Sequence, residues 1–304
     1  MLLRQRALPQ LLTVPAMPSV VADYVALTKP VVISLLLVTA LGGMFLAEQG
    51  VPSAQLLIWV MVGGALGAGG ANALNHCVER DIDKLMVRTR GRPVAAHRIG
   101  PVRALVFGIW LNLMAFLILA VQVNLLSAGL TAGAALFYVL VYTLWLKRIT
   151  TQNVVIGGAA GAIPPMVGWT AVTGQLDLPA FYLFAIVFFW TPPHFWALSL
   201  LIWRDYARAR IPMLPVVKGV RKTTWNILLY SILLVALTLL FFTTRAVDWV
   251  YLGGAVALGA LFMYFAWRLW RRGKIGDARS AYLYSLIYLA GLFVAMMVDS
   301  TVSI

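Results

Sequence analysis

The chain has 304 residues, of which 62% are apolar and only 11% charged, where a soluble domain runs at about 45–50% and about 25%. Lys and Arg number 24 against 10 Asp and Glu, a formal charge of +14; a nucleic-acid binder of that charge would carry many more charged residues than this. The apolar fraction excludes intrinsic disorder and the single Cys77 excludes a disulfide scaffold, which leaves an integral membrane protein.

Residues 1–22 place Arg4 and Arg6 before an apolar stretch, but Pro9, Pro15 and Pro18 interrupt the helix that a signal peptide needs. They read as a flexible cytoplasmic segment, and residues 23–304 as a single membrane-embedded domain. Val20 to Thr28 reads as an interfacial stretch before Pro30 opens the first span. A helix needs about 20 mostly apolar residues to cross a hydrocarbon core of about 30 Å. Such runs lie near 31–50, 54–75, 101–123, 125–146, 153–173, 179–202, 224–243, 247–267 and 282–302. With nine spans, every Lys and Arg except Arg245 falls on one side. The positive-inside rule makes that side cytoplasmic, with the N-terminus in and the C-terminus out. The fold class is therefore an all-α polytopic membrane protein.

Where the second span reaches this basic side, three of the ten acids fall together, at Glu79, Asp81 and Asp83. At about 100° per residue, Asn75, Glu79 and Asp83 keep to one helix face, Asn72 joins them a turn earlier, and Asp81 points elsewhere. Two carboxylates one turn apart repel unless something positive lies between them. Oxygen donors at this spacing suit Mg²⁺, which takes one or two carboxylates, keeps waters and accepts phosphates. Arg88, Arg90 and Arg92 follow directly and suit phosphate oxygens. The stripe and loop read as a metal-bridged diphosphate site; the alternative is a solvated, mixed-charge loop. Tyr142, Trp145, Lys147 and Arg148 close the fourth span at the same interface, and Gly157, Gly158 and Gly161 precede Pro164-Pro165 in the fifth. In the sixth, Pro192 and Pro193 free backbone carbonyls, as is tolerated where a helix is broken around a cavity. His194, Phe195 and Trp196 come next, then Arg204-Asp205-Tyr206. An ionisable group such as His194 at membrane depth is a functional candidate, with a hydrogen-bonded packing histidine as the alternative. The two acid-bearing loops lie four helices apart, a spacing that suits two halves facing one cavity.

Asn75-xxx-Glu79-xxx-Asp83 followed by Arg88-Thr89 and Arg92-Pro93 resembles the first acid-rich motif of the UbiA superfamily of intramembrane prenyltransferases. Leu27-Thr28-Lys29-Pro30, Tyr142-Thr143-x-x-Leu146-Lys147-Arg148, the Gly-rich run from Asn153 to Pro165, Pro192-Pro193-His194-Phe195-Trp196 and Ile211-Pro212-Met213-Leu214-Pro215 are similar to its heme-farnesylating branch. The similarity covers residues 22 to 220 in register. Two departures stand out: Glu79 replaces an Asp common in the superfamily, and Arg204 precedes Asp205 where relatives often carry a second acid.

The resemblance implies a nine-helix UbiA-type bundle around a central cavity, and transfer of a farnesyl group from farnesyl diphosphate to a vinyl group of heme b (protoheme IX), with water added, to make heme O. It implies Asn75, Glu79, Asp83 and His194 as catalytic residues and Glu79, Asp83 and Asp205 as holders of Mg²⁺. Arg88, Arg92, Lys147 and Arg148 would bind the diphosphate, and the faces of Tyr142, Trp145, Phe195 and Trp196 would steady the allylic cation or seat the acceptor. His194 could ligate the heme iron or handle protons or water. The setting implied is the bacterial cytoplasmic (inner) membrane with the active site toward the cytoplasm, heme A synthase or terminal oxidase assembly as downstream partners, and no nucleic acid. Two other readings are a UbiA-type enzyme acting on a quinone precursor or chlorophyllide, and a secondary transporter. The clustering of acids and cations at one interface, rather than at mid-depth, weighs against the transporter.

Overall fold

The computed structural model describes residues 19–302. Most of the 1–22 segment expected to be a cytoplasmic lead, including Arg4 and Arg6, lies outside the described residues. Among those described, nine helices are long and apolar enough to cross a membrane: Pro30–Glu48, Ala54–Val78, Pro101–Gln122, Leu125–Ile149, Asn153–Thr173, Leu178–Leu201, Leu214–Thr244, Trp249–Arg272 and Ile275–Val302. Their order reproduces the nine apolar runs. Two start well before the corresponding run: the seventh carries Lys218, Arg221 and Lys222 on its first turns, and the ninth carries Asp277 and Arg279. These charges fall in the first turns of the two helices, so hydropathy does not count that part. The seventh also bends at Gly219, whose φ of 72° is open to glycine and costly for other residues.

The sixth span is the most enclosed of the nine and packs against the fifth, seventh and ninth, while the first packs against the fifth and the ninth. A main core runs between them through Leu183, Ile186, Trp190, Phe241, Tyr251, Tyr288 and Phe293. The first and fifth helices touch backbone to backbone: a Cβ on Gly168 would overlap the Ala40 carbonyl oxygen, and one on Gly43 the Pro165 carbonyl oxygen. Small residues permit such contact, which supplies van der Waals attraction where lipid offers no hydrophobic drive.

Pro192 and Pro193 do not break the sixth span, which runs as one helix from Leu178 to Leu201. The break falls in the fifth, which divides at Ala162 into Asn153–Gly161 and Ile163–Thr173. Pro164 and Pro165 sit in the first turn of the second piece, where a missing N–H costs nothing. The fourth span changes winding instead, becoming a π-helix over Phe137–Leu146. Before the first span, Val20–Thr28 forms a separate helix capped by Ser19, with Val20, Val21 and Val25 exposed and Leu27 buried. Lys29, at φ 55°, makes the turn between the two. At the opposite side, the Asp299 carboxylate accepts the backbone N–H groups of Asp248 (2.6 Å) and Tyr251 (2.9 Å), capping the eighth helix from the ninth.

Candidate active site

The second span does not end abruptly at Val78. The N–H of Glu79 donates to the Asn75 carbonyl at 2.9 Å and that of Asp83 to the Glu79 carbonyl at 2.8 Å, so the i,i+4 ladder runs through into the short helix Arg80–Leu85. Asn75, Glu79 and Asp83 therefore share a face, and all three are buried at 2% exposure. Buried carboxylates need partners. Glu79 holds the Lys147 ammonium. One Arg92 nitrogen donates to both oxygens of Asp83, at 2.8 and 2.9 Å, and lies 3.9 Å from Glu79. Asp81 points away, as its angular position requires, and pairs with Arg148 at 2.9 and 3.0 Å.

Lys29 enters this cluster from the head of the first span, its Nζ donating to Asn75 Oδ1 at 2.9 Å. The other end of the Asn75 amide donates to Thr143 Oγ1 at 3.3 Å, and Asn72 Nδ2 donates to the Thr28 carbonyl at 2.9 Å. Three cations, Lys29, Arg92 and Lys147, thus surround two carboxylates. Burial, then the neighbouring Arg92, pulls the Lys29 ammonium down to about 7 against the pull of Glu79. Burial would raise the Glu79 carboxyl, but Lys147, by charge and hydrogen bond, and then Lys29 and Arg92 outweigh it and hold the group below its ordinary value.

The π-helix presents the aromatic wall of the site. Thr143 Oγ1 donates to the carbonyl of Tyr138, five residues back, at 2.8 Å, and Tyr138 and Tyr142 stack at 5.5 Å. Lys147 Nζ lies 5.8 Å from the Tyr142 ring centroid. The ring lies against Gly157, where any Cβ would collide with it.

The loops close over the stripe. Thr89 Oγ1 donates to the Asp83 carbonyl at 3.2 Å, and the Arg88 backbone N–H donates to Asp205 Oδ2 at 3.3 Å, which joins the two acid-bearing loops. Asp205 is also 3.4 Å from Arg208. On the sixth span, His194 is buried, stacked on Trp190 at 4.3 Å, with Tyr282 at 4.9 Å and Phe195 edge-on at 5.3 Å.

Of the residues expected from sequence, the structure brings Asn75, Glu79, Asp83, Arg92, Lys147 and Tyr142 together. Arg88 reaches the second loop through its backbone, and its side chain is exposed. Arg148 is committed to Asp81, Trp145 is exposed on the outside of the bundle, and Trp196 is buried against Tyr230 at 5.2 Å. Lys29, Thr143 and Tyr138 were not singled out by spacing. Lys29 and Thr143 appeared only inside stretches similar to the family, with no role assigned, and the positions of Thr143 and Tyr138 depend on the π-winding. His76, beside Asn75, is also buried, and neither ring nitrogen has a partner among the described residues.

The nine helices thus set an acid stripe at the end of the second span against a lysine from the fourth. Residues 36–294 match the UbiA prenyltransferase family, and the chain belongs to that family. It is 53% identical over 285 residues to a protein of Chloroflexus aurantiacus named Protoheme IX farnesyltransferase, covering 94% of this chain and 49% of that one. A protein of the same name from Symbiobacterium thermophilum is 51% identical over 93% of this chain and 95% of its own length. The chain spans about half the length of several of the curated relatives it matches, the Chloroflexus protein among them. Among solved structures, a UbiA homologue from Archaeoglobus fulgidus bound to GPP and Mg²⁺ superimposes with a TM-score of 0.68 at 17% identity, over 90% of this chain and 99% of that one.

Proposed function

We propose that this chain transfers the farnesyl group of farnesyl diphosphate to a vinyl group of protoheme IX (heme b), with water added, to give heme O. The observation that carries the reading is the buried Glu79–Asp83 pair framed by Lys29, Arg92 and Lys147. The identity of about half to proteins named for heme farnesylation supports the choice of acceptor.

An allylic diphosphate reacts by releasing diphosphate and leaving a delocalised cation. The protein must neutralise the departing oxygens and keep water from the cation until the acceptor meets it. Lys29, Arg92 and Lys147 face the position of the leaving group as preorganised charge, the effect that usually supplies the largest share of catalysis. Glu79 and Asp83, buried and one turn apart, suit a hard divalent cation, which would take the place of Lys147 and Arg92 on their oxygens, with water and phosphate oxygens at its remaining positions. Glu79 and Asp83 would hold Mg²⁺, which when bound offsets negative charge on the diphosphate. Asp205, engaged by Arg88, would fasten the loops from the other side. The face of Tyr142 would steady the allylic cation by about 0.5–2 kcal/mol. An open apolar groove lined by Leu126, Gly133, Phe137, Ala160, Ile163 and Phe184 lies on the helix that bears Tyr142 and would suit prenyl carbons. Trp190, His194, Phe195 and Tyr282 form the acceptor side.

The excess of Lys and Arg in the loops on one side supports a site facing the cytoplasm of a bacterial inner membrane, from which heme O would pass to heme A synthase or a terminal oxidase under assembly. The test is incubation of purified protein with heme b, farnesyl diphosphate and Mg²⁺, with and without chelator, followed by chromatography and mass analysis. Chelator-sensitive appearance of hydroxyethylfarnesyl heme is expected. A prenylated quinone precursor with heme b untouched would replace the acceptor, and uptake without any covalent product would replace the enzyme with a transporter.

A further inference from the structure

Two of the three cations at the acid stripe come from segments that are joined to each other away from it. Lys29 follows directly on the helix Val20–Thr28, and Arg92 lies in the loop between the second and third spans. Asp23, the one acid on that helix, accepts the Arg98 Nε–H on both carboxylate oxygens, at 2.9 and 3.1 Å. A second nitrogen of the same guanidinium donates to the carbonyl of Gly91, the residue before Arg92, at 3.0 Å. Arg98 thus ties the helix that leads to Lys29 to the backbone that leads to Arg92. Around the tie, Tyr24 and Leu27 of the helix pack with Val94 and Ile99 of the loop, and Tyr24 meets Phe107 edge-on at 4.9 Å. Inside the loop the Ala96 N–H donates to the Arg92 carbonyl at 2.8 Å and the Arg98 N–H to the Pro93 carbonyl at 2.9 Å. Exposed ion pairs commonly contribute little, but Asp23 is only 22% exposed, and a planar guanidinium shared by two segments fixes their relative position as well as pairing charge. The loop so held carries the Arg92 nitrogen that serves both oxygens of Asp83.

We propose that Asp23 is a positioning residue for the diphosphate site: through Arg98 it fixes the loop that carries Arg92 against the helix that leads into Lys29, so that both cations are set as one unit over Glu79 and Asp83. This rests on the reading of that cluster as the place where diphosphate binds. It is independent of which acceptor takes the prenyl group. Asp23 touches neither substrate nor metal and acts only through Arg98 and the loop.

The experiment measures the affinity of the purified full-length protein in nanodiscs for inorganic pyrophosphate with Mg²⁺. D23N should weaken it about fivefold, the full worth of a half-exposed ion pair, and D23E should restore it. R98K keeps the charge but cannot reach both partners, so it should match D23N. The double variant D23N/R98K should be no weaker than either single one, because the two residues act through one link. In turnover, kcat/KM for farnesyl diphosphate should fall by the same factor while KM for the acceptor stays at the wild-type value. Backbone amides of residues 89–99 should exchange faster in D23N, with the melting midpoint of the bundle unmoved. Unchanged pyrophosphate affinity in D23N, or losses that add in the double variant, overturns the proposal. A fallen melting midpoint together with a raised acceptor KM also overturns it, in favour of a general structural role. Failure of the wild type to bind pyrophosphate at all overturns the diphosphate reading of the cluster, an outcome distinct from binding that ignores Asp23.

Discussion

A single Arg92 nitrogen serves both oxygens of the buried Asp83. Asp83→Asn keeps the size and loses the charge. Turnover should fall by at least about 100-fold, the usual cost of deleting one preorganised electrostatic group, while insertion and elution as a folded species stay normal. Near-normal heme O output from that variant would remove the diphosphate assignment. Lys29 makes a pH argument available. Its ammonium sits at about 7, so it is charged below that value and loses its charge as the pH rises. Anion binding should weaken in the same direction, and a bound anion, by raising the Lys29 value, moves the loss to higher pH. Lys29→Arg keeps the charge throughout, so comparing inorganic pyrophosphate affinity in the two proteins between pH 6 and 9 cancels the titration of the ligand. Parallel curves would show that Lys29 does not face the anion. The acid stripe was legible because a 3.6-residue period is a local property. Lys29 was not, because its place beside Asn75 depends on the turn that follows the interfacial helix and on how two distant segments pack.

Helices one and five meet so closely that neither can gain a methyl group at the contact. Gly168→Ala should lower thermal stability by about 1–3 kcal/mol, the range for overpacking, read as a shift in the melting midpoint in detergent. Gly129→Ala, on the fourth helix with nothing within 4 Å, is the control and should leave the midpoint in place. An equal response from both would dismiss the close approach. Spans as units were readable from hydropathy, since backbone groups in lipid must be satisfied within the helix. Winding was not readable. Phe137–Leu146 has the apolar content of any spanning segment, its backbone bonds are those of a π-helix, and with that winding go the Thr143 hydroxyl bond to the Tyr138 carbonyl and the seat of Tyr142 against Gly157 on a different helix. The proline pairs carry a related lesson. Pro164-Pro165 begins a new helix and Pro192-Pro193 is carried inside one, a difference set by the neighbours and invisible in the dipeptides.

The distribution of charge along the sequence predicts one orientation: with nine spans, Arg245 alone among the Lys and Arg residues falls opposite the others. In a Cys77→Ser background, a membrane-impermeant thiol reagent should label a cysteine placed at Gly174 in intact cells, and one placed at Gly91 only after the membrane is opened. The reverse pattern would invert the topology and move the active site to the other face. Segment order was plain from the residues alone. The meeting of the two acid-bearing loops through Arg88 and Asp205 was hinted at by their spacing and needed three dimensions to establish. The clasp that Asp299 makes on the head of the eighth helix bears on the order of biogenesis. A ribosome delivers residue 248 about fifty residues before residue 299, so the eighth helix reaches the translocon with its leading amides unmet. That cap can form only once the ninth has been made, and until then water must serve those amides.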